Sequence, residues 1–323
     1  MKKVTVIGGG TGSFVVLSRL KEHALDLSAV VTMMDSGGST GRLRDQLGVL
    51  PPGDLRQCLV ALSEASELWR RLFLYRFEKG DLKGHNFGNI FLSALEKVCS
   101  NYNEAITLAS YVLKTKGRVV PVTFEKSHVC VVYANGRKIK GEGNIDENNP
   151  ERSRITKSYL EPEPNPNPIA IESLENSDVI IVGPGDLYTS IIPVFLVKNI
   201  QKTIKKSHAK IIYNLNLMTK SGQTTNYRAF DHVQDIAKYL GKMPDYVVVN
   251  NSEVPQNILQ WYEDHQETVV VNDLNRENYQ GKVISDDIID RNSFIKQNGD
   301  KLTRSILRHD SEKLTRILLK LIL

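Results

Sequence analysis

The segment KVTVIGGGTGS, residues 3–13, indicates how this chain folds. Its β-branched residues, Val4–Ile7, predict a buried strand, and the glycines that follow predict a tight loop over Gly8–Ser13. A helix is predicted to begin at Phe14. A strand, a glycine loop and a helix in this order are typical of the first unit of a parallel α/β sheet.

The same alternation of strands and amphipathic helices continues over most of the chain. The later strands are predicted at Ser28–Met34, Asp178–Val182, Lys210–Leu215, Asp245–Val249 and Thr268–Val271. Between them, about residues 118–165 carry short strands and turn signals without long helices. We therefore predict an α/β fold, a Rossmann-like doubly wound parallel sheet with a β-rich insertion, in a single domain that spans residues 1–323.

Composition excludes several classes of protein. The chain has 323 residues and a net charge of +5, and its lysines are spread over helix faces, so no nucleic-acid partner is expected. No apolar run approaches the roughly 18 residues that span a bilayer, and no signal-peptide pattern is present, so we expect a cytoplasmic protein. The three cysteines are far apart, which argues against a disulfide framework or a zinc site. The sequence leaves open whether the protein forms a homo-oligomer.

Small and polar residues follow the strands that are predicted to be buried. Glycine loops come after three of them, at residues 8–13, 36–41 and 183–185. Because the carboxyl ends of parallel strands meet at one edge of a sheet, we expect these loops to lie together. Glycine lets backbone N–H groups approach an anion closely, and helix N-termini favour negative charge. The sequence therefore predicts a ligand that carries phosphate.

Two common nucleotide motifs fit less well. The spacing Gly8-x-Gly10 resembles the start of a dinucleotide fingerprint, but its third glycine is replaced by Ser13. Asp35 stands where a ribose-binding acid is expected, yet it opens a second glycine loop that ends in Arg42. No Gly-Lys-Ser/Thr sequence is present, so a P-loop is excluded. NAD is thus a less favoured ligand than another phosphate compound.

Several motifs occur together in the order found in one family. They are Gly8-Gly9-Gly10-Thr11-Gly12, Asp35-Ser36-Gly37-Gly38-Ser39-Thr40-Gly41-Arg42, Pro52-Gly53-Asp54-Leu55-Arg56, Gly84-His85-Asn86-Phe87-Gly88-Asn89, Gly183-Pro184-Gly185-Asp186-Leu187-Tyr188, Asn216-Leu217-Met218-Thr219 and Arg308-His309-Asp310. On these motifs the chain resembles the YvcK/CofD-like family over almost its whole length. The resemblance is closer to the YvcK type than to the CofD type.

The resemblance implies two alternative functions. YvcK-type members, called gluconeogenesis factors, bind uridine-diphosphate sugars and support cell shape and growth on gluconeogenic carbon. CofD-type members are magnesium-dependent transferases that move a phospholactyl group from a nucleotide-linked donor. Many relatives have a second acid where this chain has Ser36, which disfavours a two-carboxylate magnesium site. We therefore expect a UDP-sugar-binding protein, with a transferase that uses Mg²⁺ as the alternative.

The candidate residues for binding the nucleotide and its phosphates come from these motifs. They are Gly9, Gly10, Thr11, Gly12, Asp35, Gly37, Gly38, Ser39, Arg42, Asp54, Arg56, His85, Asn86, Asn89, Gly183, Gly185, Tyr188, Asn216 and Arg308. The arginines can grip phosphate with paired N–H groups, and the asparagine amides can orient the ligand. His85 could bond a phosphate or a hydroxyl group, and no catalytic residue is assigned.

Some of these residues have equally ordinary interpretations. Asp35, the one candidate ligand for Mg²⁺, could instead cap the turn that follows it. Asp54 could be a helix N-cap. Tyr188 could stack on a base or sugar, or pack in the core. Arg308 could form a salt bridge to Asp310.

Overall fold

The computed structural model describes residues 1–146, 151–292 and 305–323. Strands and helices alternate at the start of the chain. In order they are β1 (Lys2–Gly8), α1 (Gly10–Leu20), β2 (Leu25–Val31), α2 (Gly38–Leu47), α3 (Gly53–Leu62), α4 (Glu67–Leu74), α5 (Phe87–Val98), α6 (Tyr102–Leu113) and β3 (Arg118–Pro121). Helix α1 begins four residues before the predicted start at Phe14, so most of the glycine loop is its first turn.

A small antiparallel sheet and the second half of the α/β fold follow. The insertion contains β4 (His128–Tyr133), β5 (Lys138–Lys140), α7 (Glu142–Asp146) and β6 (Ile155–Glu161). The remaining elements are α8 (Pro168–Glu175), β7 (Val179–Val182), a π-helical turn (Leu187–Ile191), α9 (Ile192–Phe195), α10 (Ile200–Lys206), β8 (Lys210–Asn214), α11 (Ala229–Leu240), β9 (Tyr246–Asn250), α12 (Gln256–Asp264), β10 (Lys282–Asp286), β11 (Ile289–Asp290), β12 (Arg308–His309) and α13 (Ser311–Ile322).

The central sheet has seven parallel strands in the order β10-β9-β8-β7-β1-β2-β3. Val4 of β1 pairs with Leu27 on one side and with Val179 on the other. The chain moves outward from β1 to β3 and then returns to the other side of β1 at β7. This reversal leaves a crevice beyond the carboxyl ends of β1 and β7, where ligands of open α/β sheets bind.

Hydrophobic cores cover both faces of this sheet. Val4 and Val6 point to one face, where they join the buried side chains of α1, α3, α6 and α13. Ile7 and Ile180 belong to the core on the opposite face, with residues from α8, α10 and α11. Strands covered on both faces are expected to be continuously apolar, as these are. The predicted Rossmann-like, doubly wound fold is confirmed.

The boundary of the insertion differs from the prediction in one respect. Its first predicted strand is β3, which pairs in parallel with β2 and belongs to the central sheet. The antiparallel sheet contains only β5, β4 and β6, in that order. Tyr133 at the end of β4 donates a hydrogen bond to the carbonyl of Gly222 at 2.7 Å. This bond joins the insertion to the loop that follows β8.

The strand predicted at Thr268–Val271 is wrong, and β10 takes the edge of the sheet instead. The segment is extended, but it pairs with the loop after β8. Thr219 N donates to the Thr268 carbonyl at 2.7 Å, and Thr268 N donates to the Thr219 hydroxyl at 2.8 Å. The β-branched residues of this segment therefore belong to a local extended pairing with the loop after β8, outside the central sheet. No helix in the described ranges is long and apolar enough to cross a membrane.

Candidate functional site

A cavity of about 250 Å³ opens at the crevice between β1 and β7. The glycine loops after β1, β2 and β7 all contribute to its wall. Of the residues predicted from the sequence, those that line it are Gly9, Gly10, Thr11, Gly12, Asp35, Gly37, Ser39, Asp54, Arg56, Asn89, Gly185, Asn216 and Arg308. The structure thus brings most of the motif residues to one place, although they are up to about 300 positions apart in the sequence.

The glycine loops pack directly on one another. A Cβ on Gly12 would lie 1.7 Å from the carbonyl oxygen of Pro184, which no side chain can tolerate. A Cβ on Gly10 would lie 2.8 Å from Asp54 Oδ1, and the Gly10 N–H donates to that same oxygen at 2.8 Å. Close backbone approach therefore explains part of the glycine content. It also means that one amide at the start of α1 already has an acceptor within the protein.

Asp35 and Asp54 are held by backbone amides at the cavity wall. Asp35 Oδ1 accepts from Gly37 N at 2.9 Å, so this residue does cap its own turn, while its carboxylate still lines the cavity. Asp54 is not an N-cap, because α3 begins at Gly53 and Pro52 occupies that position. Its carboxylate reaches the start of α1 instead. Both acids therefore have fixed orientations beside the glycine loops.

Arg56 is a buried arginine that is positioned by Asn89. Its side chain is only 5% exposed, and Nε donates to Asn89 Oδ1 at 2.8 Å. Nη1 donates to the Phe73 carbonyl at 3.3 Å. Asn86 is the N-cap of α5, and its side chain accepts from Asn89 N at 3.3 Å. Asn86 thus supports Asn89, which in turn orients Arg56 at the cavity.

The opposite wall comes from the loop after β8 and from β12. Asn216 donates through Nδ2 to the Gly185 carbonyl at 2.8 Å, which links two of the predicted loops. The ring Nε2 of His309 lies 3.0 Å from the Leu215 carbonyl and anchors β12, which carries Arg308. Asp310 caps α13 through bonds from two backbone amides. Asp310 therefore fixes the start of α13 next to Arg308.

Six predicted residues lie outside the cavity wall: Gly38, Arg42, His85, Asn86, Gly183 and Tyr188. Arg42 Nη2 donates to the Lys83 carbonyl at 3.0 Å, and Lys83 does not line the cavity either. His85 is buried, with Nδ1 3.2 Å from the Ser39 hydroxyl, and burial lowers its pKa. It supports a cavity residue rather than facing the cavity itself.

Tyr188 is a core residue. Its side chain is fully buried, and its hydroxyl donates to Asp235 at 2.5 Å beside Tyr227. Tyr188 does not line the cavity, and this burial favours the packing interpretation over stacking on a base or sugar. The Gly-Pro-Gly loop before it has the left-handed φ of +67° at Gly183, a conformation that favours glycine.

The insertion contributes two acids that the sequence reasoning missed. Glu142 and Asp146 lie at the two ends of α7, and both line the cavity. Glu142 Oε2 accepts from Ser36 N at 3.0 Å and from its hydroxyl at 3.3 Å. Ser36 also accepts from Gly143 N at 2.9 Å. Ser36 is therefore the contact point of α7, which brings a carboxylate of its own.

Burial and neighbouring acids raise the pKa of both carboxyl groups on α7. The pKa of Glu142 is well above its usual range because of burial and then the charges of Asp35 and Asp146. Burial, followed by the charge of Asp186, raises the pKa of Asp146 to about 7, and Lys220 opposes this shift. Asp146 accepts hydrogen bonds from Gln223 and, at 3.0 Å, from the Thr189 hydroxyl.

Asp186 and Lys220 are further cavity residues that motif reasoning did not select. Both had a usable signal: Asp186 lies inside the recognised motif Gly183-Pro184-Gly185-Asp186-Leu187-Tyr188, and Lys220 directly follows Asn216-Leu217-Met218-Thr219. The acids of α7 had a weaker signal. They are two carboxylates at i and i+4 in a segment with no other indication of helix.

The acids around the cavity meet only part of the needs of a metal ion. Within residues 1–146, 151–292 and 305–323, no group of three or more His, Cys, Asp or Glu side chains is arranged to hold a metal. Mg²⁺ commonly uses one or two carboxylates and takes its other ligands from water and substrate phosphate. Asp35 and Asp54 fit that limited role, since backbone amides orient both at the cavity.

These features define the class of protein: a Rossmann-like α/β protein with its candidate ligand site at the switch point of a parallel sheet. Residues 4–289 match the family model of 2-phospho-L-lactate transferase CofD. The chain belongs to the CofD family, which confirms the family resemblance inferred from the motifs.

Relatives in this family are similar over the full length. A protein from Aquifex aeolicus is 40% identical over 100% of this chain and 98% of its own length. The gluconeogenesis factor of Bacillus subtilis is 37% identical over 99% of this chain and 98% of that protein. The crystal structure of a UPF0052 family member from Bacillus halodurans is 33% identical, with a TM-score of 0.88 over 99% of this chain and 100% of that one.

Proposed function

We propose that the cavity binds a nucleotide-sugar, with a uridine-diphosphate sugar as the favoured ligand. The observation that carries the proposal is the convergence of three glycine loops and three arginines, Arg56, Arg76 and Arg308, on one cavity at the switch point of the sheet. Glycine loops at helix N-termini suit phosphate, and arginine binds phosphate oxygens through paired N–H groups. The name of the Bacillus subtilis relative supports a role as a gluconeogenesis factor.

In this proposal the diphosphate lies between the start of α1 and the arginines. The Gly10 N–H is bonded to Asp54, so the amides of Thr11 and Gly12 are the proposed backbone contacts. Arg56 would approach from α3 and Arg308 from β12, on different parts of the wall. The protein would act in the cytoplasm and support growth on gluconeogenic carbon and cell shape, without nucleic acid as a partner.

A thermal-shift panel tests this proposal. The protein is heated with UDP-glucose, a guanosine-diphosphate sugar, NAD and uridine, each at the same concentration. A ligand present at about 100 times its dissociation constant adds roughly 2.7 kcal/mol to the free energy of unfolding. We expect the UDP-sugar to stabilise the protein most. Stabilisation by NAD alone would contradict the proposal.

The family model for 2-phospho-L-lactate transferase favours a second candidate function. In that case the protein would transfer a phosphate-linked group from a nucleotide-linked donor. Asp35 and Asp54 would hold Mg²⁺, which would supply positive charge to the donor's phosphates. Transfer that requires both Mg²⁺ and an acceptor would identify this activity. Binding without turnover under the same conditions would favour the regulatory function.

A further inference from the structure

Asn214 is a buried asparagine at the end of an otherwise apolar strand. It closes β8 after Ile211, Ile212 and Tyr213, and its side chain is 0% exposed. Its Nδ2 donates to the carbonyl of Gly183 at 3.0 Å, in the loop that follows β7. Its Oδ1 is buried and has no hydrogen-bond partner among the described residues. The side-chain bond of Asn214 therefore goes to a glycine loop of the cavity.

Stability alone does not explain an asparagine at this position. A buried amide oxygen without a partner is unfavourable, and leucine has nearly the same shape as asparagine without that oxygen. The group that leucine lacks is the N–H donor to the Gly183 carbonyl. The bond to the loop is thus the contribution that distinguishes asparagine from an apolar side chain here.

The loop that receives this bond supports the first glycine loop. Gly183 N donates to the carbonyl of Ile7, near the end of β1, at 2.9 Å. The next carbonyl, that of Pro184, lies so close to Gly12 that a Cβ there would be 1.7 Å from its oxygen. Gly12 lies in the first turn of α1, and its amide is one of the proposed phosphate contacts. The position of Pro184 therefore limits where the start of α1 can lie.

A second asparagine bonds the other end of the same loop. Asn216 Nδ2 donates to the Gly185 carbonyl at 2.8 Å, so the two amides bond the carbonyls on either side of Pro184. Asn216 lines the cavity, whereas Asn214 does not. A substitution of Asn214 therefore changes the support of the loop without removing a side chain from the cavity wall.

We propose that Asn214 is a positioning residue, which holds the loop 183–185 against the start of α1 and so fixes the Gly12 amide for the phosphates of the ligand. Asn214 acts through the loop and does not contact the ligand. Its bond to Gly183 fixes the Pro184 carbonyl, and that carbonyl supports Gly12. The inference rests on the proposed function of the cavity.

The first test needs no ligand. Hydrogen exchange is measured in the full-length protein for residues 183–191, where Gly183 N bonds the Ile7 carbonyl, and for α11 as a reference for global opening. Asn214→Leu is expected to speed exchange in residues 183–191 at least tenfold, which corresponds to about 1.4 kcal/mol of lost protection, and to change α11 much less. Unchanged exchange in residues 183–191, or equal acceleration in both segments, overturns the proposal.

The second test compares two buried asparagines by calorimetric titration of UDP-glucose. Asn214→Leu is expected to weaken binding about tenfold or more. Asn167→Leu is the matched control, because Asn167 is 1% exposed, donates to the Pro121 carbonyl at 3.0 Å and does not line the cavity. Asn167 also caps α8 through a bond from Ile169 N, so its loss costs at least as much stability. Its affinity should stay within about twofold of the parent value.

The two variants separate a positioning role from a structural one. If both lose affinity alike, the loss follows stability, and the proposal is overturned. If Asn214→Leu keeps the parent affinity although exchange in residues 183–191 is faster, the position of the loop does not affect binding, and the proposal is overturned as well. If the parent itself binds no nucleotide-sugar, the proposed function fails, and the exchange experiment alone decides whether Asn214 holds the loop.

A second substitution covers the case in which Asn214→Leu does not fold. Asn214→Ala removes the same donor without placing apolar atoms against the Gly183 carbonyl, and it replaces the leucine variant in both experiments with the same expected results. If neither variant folds, Asn214 is needed for the fold itself, and the proposal is overturned.

Discussion

Replacing Arg56 by alanine tests the proposed contact between this cavity and a phosphate group. The side chain is 5% exposed, lines the cavity and donates to Asn89 and to the Phe73 carbonyl. A charge-assisted hydrogen bond to phosphate contributes about 1.5–3 kcal/mol, so Arg56→Ala should weaken UDP-sugar binding roughly tenfold to a hundredfold. The sequence alone predicts the same effect for Arg42, which the structure places outside the cavity.

Arg56→Ala also has a cost for stability, which must be separated from binding. It leaves the buried acceptors on Asn89 and Phe73 without this donor, and each such loss costs about 1–3 kcal/mol. Arg56→Lys keeps the charge but cannot reproduce the bond from Nε to Asn89, so its affinity should fall between that of the parent and that of the alanine variant.

Isothermal titration calorimetry provides the assay, at a temperature where thermal unfolding shows each variant to be folded. Arg42→Ala is the matched control, because its guanidinium bonds the Lys83 carbonyl away from the cavity. Its affinity should stay within about 0.5 kcal/mol of the parent value. Equal affinity for the parent and a folded Arg56→Ala variant would refute the reasoning.

Three further substitutions test the structure of the site. Ser36→Asp should lower the melting temperature, because it places a second carboxylate where the serine hydroxyl now meets Glu142. An unchanged melting temperature would contradict the contact between Ser36 and Glu142. Asp146, whose pKa is raised to about 7 from 3.8, stabilises the native state most below the unfolded pKa and loses that contribution as pH rises through 7. Asp146→Asn should therefore flatten the decline in unfolding free energy between about pH 4 and pH 7, as measured by urea unfolding. An unchanged slope would show that other groups cause the decline. Gly12→Ala should destabilise the protein by several kcal/mol, roughly the cost of severe overpacking, because its Cβ would overlap the Pro184 carbonyl. A melting curve like that of the parent would contradict the close packing of the two glycine loops.

The sequence predicts the sheet and the convergence of its loops for a clear physical reason. Buried parallel strands are continuously apolar, and their carboxyl ends share one edge, so the pattern of residues is enough to place Gly10, Asp35 and Gly185 together. The binding role of these residues remains a prediction. What the structure adds is that Gly12 is also needed for packing against Pro184.

Other features of the site depend on contacts that local patterns do not encode. Glu142 meets Ser36 across 106 positions of sequence through the insertion, and neither residue signals the other. Tyr188 follows a cavity loop, but a π-helical turn carries its ring into the core. The segment at Thr268 has strand-like composition because it pairs with Thr219, outside the sheet. Long-range partners decide all three cases.

Calorimetric titration of the parent protein tests most directly whether this cavity binds a nucleotide-sugar. UDP-glucose and NAD are titrated separately, each with and without Mg²⁺. We expect tighter binding of the UDP-sugar than of NAD, with only a modest effect of Mg²⁺. No three acids of the described residues are arranged to hold a metal, so the ion would rely on ligand oxygens and water. Micromolar binding of NAD with no response to nucleotide-sugars would contradict the proposal.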